Sequence, residues 1–254
     1  MKSFALVIFF ILFAIIPAVP AQEEDAIPHD AAALYNQSIE LHQAGRYAEA
    51  IDALKKYIKL NPSSASGYNN LGVVRSDAGL YRDAVENFKE ALRLAPDYAE
   101  ARRNLGAAFY RLGEIREAVA EYKLAIALKP DYVLALNDLG VALSELGQHA
   151  QAVVTLERAV RLDARNAVSF HNLGCVAARA KQREKAVHAF QRAIEINPDS
   201  SESRFQLAAL YLAGNDRANA IRQYAELKTQ NAELADKLYR AIFRDKLLVV
   251  ELLK

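Results

Sequence analysis

One cysteine, Cys175, stands in a chain of 254 residues. No internal disulfide is available, and the fold must be held by packing. Neither sign of charge predominates: 32 Lys and Arg face 31 Asp and Glu, a formal net charge of +1. Binding nucleic acid or an anionic membrane surface needs a surplus of cations on one face, and no such surplus exists. Prolines number 7 and glycines 10, with no long polar tract, which excludes a disordered or low-complexity domain. Catalytic signatures are missing too. The histidines, His29, His42, His149, His171 and His188, form no pair with a third ligand at metal spacing. There is no glycine-rich phosphate loop, nucleophile elbow or kinase signature. The expectation is therefore a protein without metal, cofactor or small-molecule substrate, and not an enzyme.

What is present begins with an apolar run. Lys2 is followed by FALVIFFILFAIIPAVPA from Phe4 to Ala21, and then abruptly by Gln22-Glu23-Glu24-Asp25. One cation, an apolar stretch and small residues at Val19 and Ala21 make the tripartite pattern of a cleavable signal peptide, with cleavage after Ala21. Pro17 and Pro20 break a helix where a peptidase needs extended chain. The run is also just long enough to span a bilayer, so an N-terminal membrane anchor is the rival reading. No cysteine follows the run, which excludes a lipid-anchored lipoprotein. Removal of residues 1–21 takes away Lys2 and no acid, leaving a formally neutral mature chain.

Past a short polar linker, 22–30, the chain repeats itself. LGVV at Leu71, LGAA at Leu105, LGVA at Leu139 and LGCV at Leu173 recur at a spacing of 34 residues. Extending that frame divides 31–234 into six units: 31–64, 65–98, 99–132, 133–166, 167–200 and 201–234. The eighth position of a unit is Gly72, Gly106, Gly140 or Gly174, replaced by Ser38 and Ala208 in the outer units. The twentieth is Ala50, Ala84, Ala118, Ala152, Ala186 and Ala220, and the twenty-fourth is large and apolar: Leu54, Phe88, Tyr122, Leu156, Phe190 and Tyr224. Small residues at the eighth and twentieth positions predict two antiparallel helices crossing closely, with the twenty-fourth side chain inserted between them. Gly45, Gly79, Gly113 and Gly147 suit a left-handed residue ending the first helix. Lys181 and Asn215 replace them later, and Asn tolerates that conformation better than Lys. Pro62, Pro96, Pro130 and Pro198 stop the second helix, with Ser63, Asp97, Asp131 and Asp199 as expected caps of the next.

These residues resemble the tetratricopeptide repeat (TPR) family, over roughly four-fifths of the chain. The resemblance implies an all-α fold, a right-handed α-solenoid of six helix-turn-helix repeats. The last 20 residues, 235–254, are too few for a catalytic domain. Leu238, Ala241 and Ile242 at helical spacing predict a capping helix there. The apolar terminus Leu247 to Leu253 either folds back onto that cap or makes a homo-oligomer or partner contact.

The resemblance also places the sixth position of each repeat in a concave groove lined by the first helices. That position reads Asn36, Asn70, Asn104, Asp138, Asn172 and Gln206. A carboxamide carries donors and an acceptor and can bond both groups of a peptide backbone. First helices packed about 8–10 Å apart would offer one rung per three residues of strand, at about 3.3 Å each. Asn is also common at this position in the family generally, so the row is either a peptide-binding ladder or inherited background. Beside it, the fifth position contributes Arg103, Asn137 and His171, expected to meet partner side chains. The ninth adds a stripe of small apolar residues that includes Cys175. His171 and Cys175, four apart on one helix, could form a thiolate pair; Cys175 reads more simply as one more small apolar residue. At the thirteenth position Asp77, Arg111, Glu145 and Arg179 alternate in sign, which predicts salt bridges between repeats. The Lys and Asn of the carboxylate clamp found in chaperone adaptors are missing, so docking of an acidic C-terminal peptide is not expected. Asn36-Gln37-Ser38 is formally a glycosylation sequon; a sugar there would obstruct the ladder, which favours a bacterial periplasm over a eukaryotic secretory route. The functional expectation is a scaffold that binds an extended segment of another envelope protein. The alternative is a structural subunit that uses its convex face or apolar C-terminus.

Overall fold

A computed structural model describes residues 29–243. The expected signal segment 1–21, its cleavage site and the apolar terminus Leu247 to Leu253 lie outside the described residues. Among the described residues the fold is all helical, a TPR-like solenoid of thirteen helices and no strands. First helices of the repeats are α1 (His29–Gln43), α3 (Ala65–Asp77), α5 (Ala99–Arg111), α7 (Val133–Glu145), α9 (Ala167–Arg179) and α11 (Ser201–Ala213). Second helices are α2 (Tyr47–Leu60), α4 (Tyr81–Leu94), α6 (Ile115–Leu128), α8 (His149–Leu162), α10 (Arg183–Ile196) and α12 (Arg217–Gln230). The last helix, α13 (Ala232–Phe243), starts three residues before the expected 235.

The chain divides after Ala142 into two compact units. In the first, 29–142, one apolar cluster runs through the helical hairpins and includes Tyr35, Leu54, Tyr57, Val74, Phe88 and Leu105. Full burial of side chains this size contributes about 1.5–3 kcal/mol each. In the second, 143–243, α13 closes the last repeat by burying Leu238 and Ile242 against Phe205 and Leu227. No described helix is long and apolar enough to cross a membrane.

The repeat positions explain the packing. All six alanines of the twentieth position have no exposed surface, because the facing helix leaves no room for more than a methyl group. The glycine of the eighth position receives the ring of the twenty-fourth. A Cβ built on Gly72 would lie 2.6 Å from Phe88, one on Gly106 2.8 Å from Tyr122, and one on Gly174 2.7 Å from Phe190. Ring and glycine are therefore one device. In the first repeat Ser38 stands at the glycine position, and the smaller Leu54 replaces the ring.

A second compensation accounts for an irregularity. The twenty-seventh position is alanine in the middle repeats, but Tyr57 occupies it in the first. Gly67 at the start of the next repeat makes way for that ring, where a Cβ would meet Tyr57 at 2.6 Å. The phenol of Tyr57 then contacts Ser64 Oγ at 3.1 Å.

The hairpin turns use left-handed backbone. Gly79 has φ of 79°, and Lys181 and Asn215 hold the same conformation at 59° and 60°. From α3 on, first helices start where the repeat frame puts them, but their caps lie one residue later than expected. The caps are Ser64, Asn166 and Ser200, whose side chains accept from Gly67, Ser169 and Ser203 N–H groups at 3.1, 3.0 and 3.4 Å. Ser63, Asp97 and Asp199 sit one residue too early, because the chain needs one more extended residue after the proline turn. Tyr98 holds the corresponding place before α5 and makes no side-chain cap. Arginines of the fourth position tie the proline turn behind them: Arg102 donates to the Pro96 carbonyl at 3.0 Å and Arg204 to that of Pro198 at 2.9 Å.

Candidate functional site

Position six is an interior lock before it is a surface. In 29–142 the sixth-position side chains of the second, third and fourth repeats pair with the fifth position of the repeat before. Asn70 Nδ2 donates to the Tyr35 hydroxyl at 2.6 Å. Asn104 Nδ2 donates to Asn69 Oδ1 at 3.0 Å. Arg103 Nε donates to Asp138 Oδ2 at 2.6 Å. Asn69 Nδ2 also donates to Asn70 Oδ1 at 3.2 Å, and Asn70 has 0% exposed surface. First helices one repeat apart lie side by side, so a residue and the one 35 further along face each other across the seam.

The expected row of free groove carboxamides is thereby corrected. Asn70, Asp138 and Asn172 are buried, and so are Arg103 and Asn137 of the fifth position. Asn137 Nδ2 donates to the Val133 carbonyl at 3.0 Å. Burial works against the charge of Arg103, but attraction by Asp138 holds the guanidinium above its ordinary value. Burial pushes the Asp138 carboxyl up, with Arg103 opposing. Neither member of this pair is placed to select a partner's side chains. Asn36 is exposed, and Asn104 and Gln206 are partly so.

In 143–243 the fifth-position His171 turns inward. Its Nδ1 lies 2.8 Å from Ser203 Oγ and its Nε2 3.5 Å from Cys175 Sγ. Burial lowers the imidazole to about 4 and raises the thiol to about 12. A thiolate–imidazolium pair needs the opposite shifts, so this geometry does not supply an activated nucleophile. No cluster of metal-ligating side chains occurs among the described residues.

A cavity opens between α3, α5 and the start of α4. Its volume is 120 Å³. Val73, Phe88 and Ala107 line it with apolar surface, and Ser76, Asp77, Tyr81, Asn104 and Arg111 supply the polar groups. Asp77 is held by His42, Nε2 to Oδ2 at 2.7 Å. Arg111 donates to the Tyr81 hydroxyl at 2.5 Å, with its guanidinium carbon 5.0 Å from that ring's centroid. Among the thirteenth-position charges expected to pair between repeats, Arg179 and Glu145 do so at 2.7 Å. Asp77 takes His42 instead. Asn104 thus belongs both to the interior lock and to the lining of this cavity.

Sequence comparison agrees with the geometry. Tetratricopeptide-repeat models match residues 69–133, 167–200, 121–154 and 189–233, and a TPR-repeat model matches 39–79. The chain belongs to the tetratricopeptide repeat family. No curated protein matches it. Among solved structures it is similar to PilW, a widely conserved type IV pilus biogenesis factor, at 19% identity and a TM-score of 0.75, covering 83% of this chain and 99% of PilW. It is similar to MamA at 27% identity and 0.58, covering 65% and 96%. YrrB, described as a TPR protein with an unusual peptide-binding site, matches at 21% identity and 0.60, covering 79% and 97%. TPR proteins are generally non-catalytic scaffolds for protein–protein interaction, built on the extended surface that stacked repeats create.

The interior lock had one legible signal. The single acidic member of the sixth-position row, Asp138, follows by 35 residues the single arginine of the fifth, Arg103. The cavity had none, because it depends on which side chains leave space.

Proposed function

We propose that this protein is a non-catalytic scaffold that holds an extended segment of another protein against the first helices of its repeats. The observation that carries this reading is the cavity around Asn104, where an accessible carboxamide stands beside apolar surface and a positioned cation. Specific sites combine apolar lining with a few placed polar groups. Of the sixth-position row, Asn36, Asn104 and Gln206 are the members that a bound backbone reaches. The protein is exported to a bacterial periplasm, a reading supported by the apolar run from Phe4 to Ala21 and the small residues that end it. Assembly of envelope proteins is the setting in which it works; among its structural neighbours PilW is a pilus biogenesis factor. The alternative, a subunit docked by its outer surface, has its own observation: Leu124, Leu128 and Leu134 are each about half exposed.

Site-specific photo-crosslinking in the native host tests the two readings against each other. A crosslinker at Ser76, beside the cavity, should yield an adduct of one defined mass, and one at Lys123, on the exposed side of α6, should not. The reverse pattern would establish the outer-surface reading. Intact mass of the native protein, starting at Gln22, tests export; a full-length protein retained in membranes would establish the anchor.

A further inference from the structure

We infer that the cavity beside Asn104 is built for an acidic side chain of the bound segment, glutamate by size and chemistry. The inference rests on the scaffold reading and names the class of peptide it takes. The cavity contains two charged groups, and their situations differ. Asp77 already has a hydrogen-bond partner in His42 Nε2, at 2.7 Å. Around Arg111, among the described residues, no carboxylate lies within ion-pair distance, and its one bond goes to a neutral phenol. Tyr81 holds that guanidinium in place from two directions, by its hydroxyl and by its ring face. A guanidinium presents five N–H donors, so most of its capacity remains. It is a cation positioned in advance, with no ion-pair partner among the described residues.

The rest of the lining fits the same ligand. Val73 and Ala107 give an apolar surface on which the two methylenes of a glutamate side chain can lie. Asn104 uses Nδ2 on Asn69, and its oxygen accepts nothing among the described residues, so it can take the N–H of the bound backbone. The volume of 120 Å³ leaves room for one side chain of moderate size. Lysine would bring its ammonium to Arg111. Glutamine would keep the shape and lose the charge.

The test uses the full chain and three capped heptapeptides of alternating alanine and serine, with glutamate, glutamine or lysine at the centre. Binding is followed by NMR on the Arg111 Nε–H and Asn104 Nδ2 resonances. The glutamate peptide should move both, binding about three- to tenfold tighter than the glutamine peptide, with lysine weaker still. Arg111→Gln, an exposed change that leaves the fold intact, should remove the glutamate preference. Asp77→Asn should strengthen glutamate binding, because it removes the one opposing charge. If glutamate and glutamine peptides move Asn104 with equal affinity, the acidic preference is refuted and the scaffold reading stands. If none of the peptides moves either resonance, both fail. Equal binding of the glutamate peptide by wild type and Arg111→Gln would also overturn the inference.

Discussion

Replacing Gly106 by alanine should reveal the ring-in-glycine packing by a change of sign. A Cβ at Gly106 would lie 2.8 Å from both Cδ1 and Cε1 of Tyr122 and 3.2 Å from the Ala118 carbonyl oxygen. Tyr122 is fully buried, so its ring has nowhere to withdraw without displacing neighbours. Overpacking of this kind costs about 1–3 kcal/mol. Against it stands the helix-propensity gain of alanine over glycine, about 1 kcal/mol. The net result in the wild-type background is destabilisation by about 1 kcal/mol. In a Tyr122→Leu background the ring is gone, as in the first repeat where Leu54 faces Ser38. The same Gly106→Ala change should then stabilise by up to about 1 kcal/mol. The coupling between the two sites is thus about 1–3 kcal/mol, in the range measured for residues in contact. Urea unfolding followed by far-ultraviolet circular dichroism reads this out as midpoints compared at equal slope. An equal shift in both backgrounds, or stabilisation of wild type, would refute the packing argument.

Four further outcomes follow from particular residues. The Tyr122 hydroxyl is buried without a partner, so Tyr122→Phe should stabilise by about 1 kcal/mol, the side chain already used at Phe88 and Phe190; a loss of stability would mean that the phenol is satisfied. Asn70→Ala should destabilise by about 1–3 kcal/mol, since it removes the buried bond from Asn70 Nδ2 to the Tyr35 hydroxyl, and thermal melts decide it; a neutral result would show that the lock contributes nothing. Lys181→Gly should stabilise by about 1 kcal/mol, because a side chain at positive φ carries a penalty that glycine avoids, and the gain should exceed that of Asn215→Gly. His171 stays neutral in the fold down to about 4, whereas the unfolded chain protonates it near its ordinary value of about 6.5. The unfolded state therefore gains protons first as pH falls, and stability present above about pH 6.5 should drain away towards pH 4. His171→Asn should flatten that part of the urea midpoint profile relative to wild type, and an unchanged slope would refute the assignment.

The primary structure alone determined the repeat. A spacing of 34 residues, small residues at the eighth and twentieth positions and a bulky one at the twenty-fourth specify a helical hairpin that cannot bury its apolar faces alone. First helices begin at Ala65, Ala99, Val133 and Ser201 shortly after a proline stop, and second helices begin two residues after the left-handed turn residue, so local signals set both. Such signals act within a few residues, and they are legible one repeat at a time. The use of each polar side chain was not. Asn70 and Asn104 occupy the same position in the same kind of helix, yet one is sealed beneath the Tyr35 hydroxyl and the other borders a cavity. That difference depends on the residue 35 positions earlier and on the volumes of Val73, Phe88 and Ala107 around it. Only packing of one repeat on the next brings those groups together, so only the tertiary structure could separate an inter-repeat bond from a binding group.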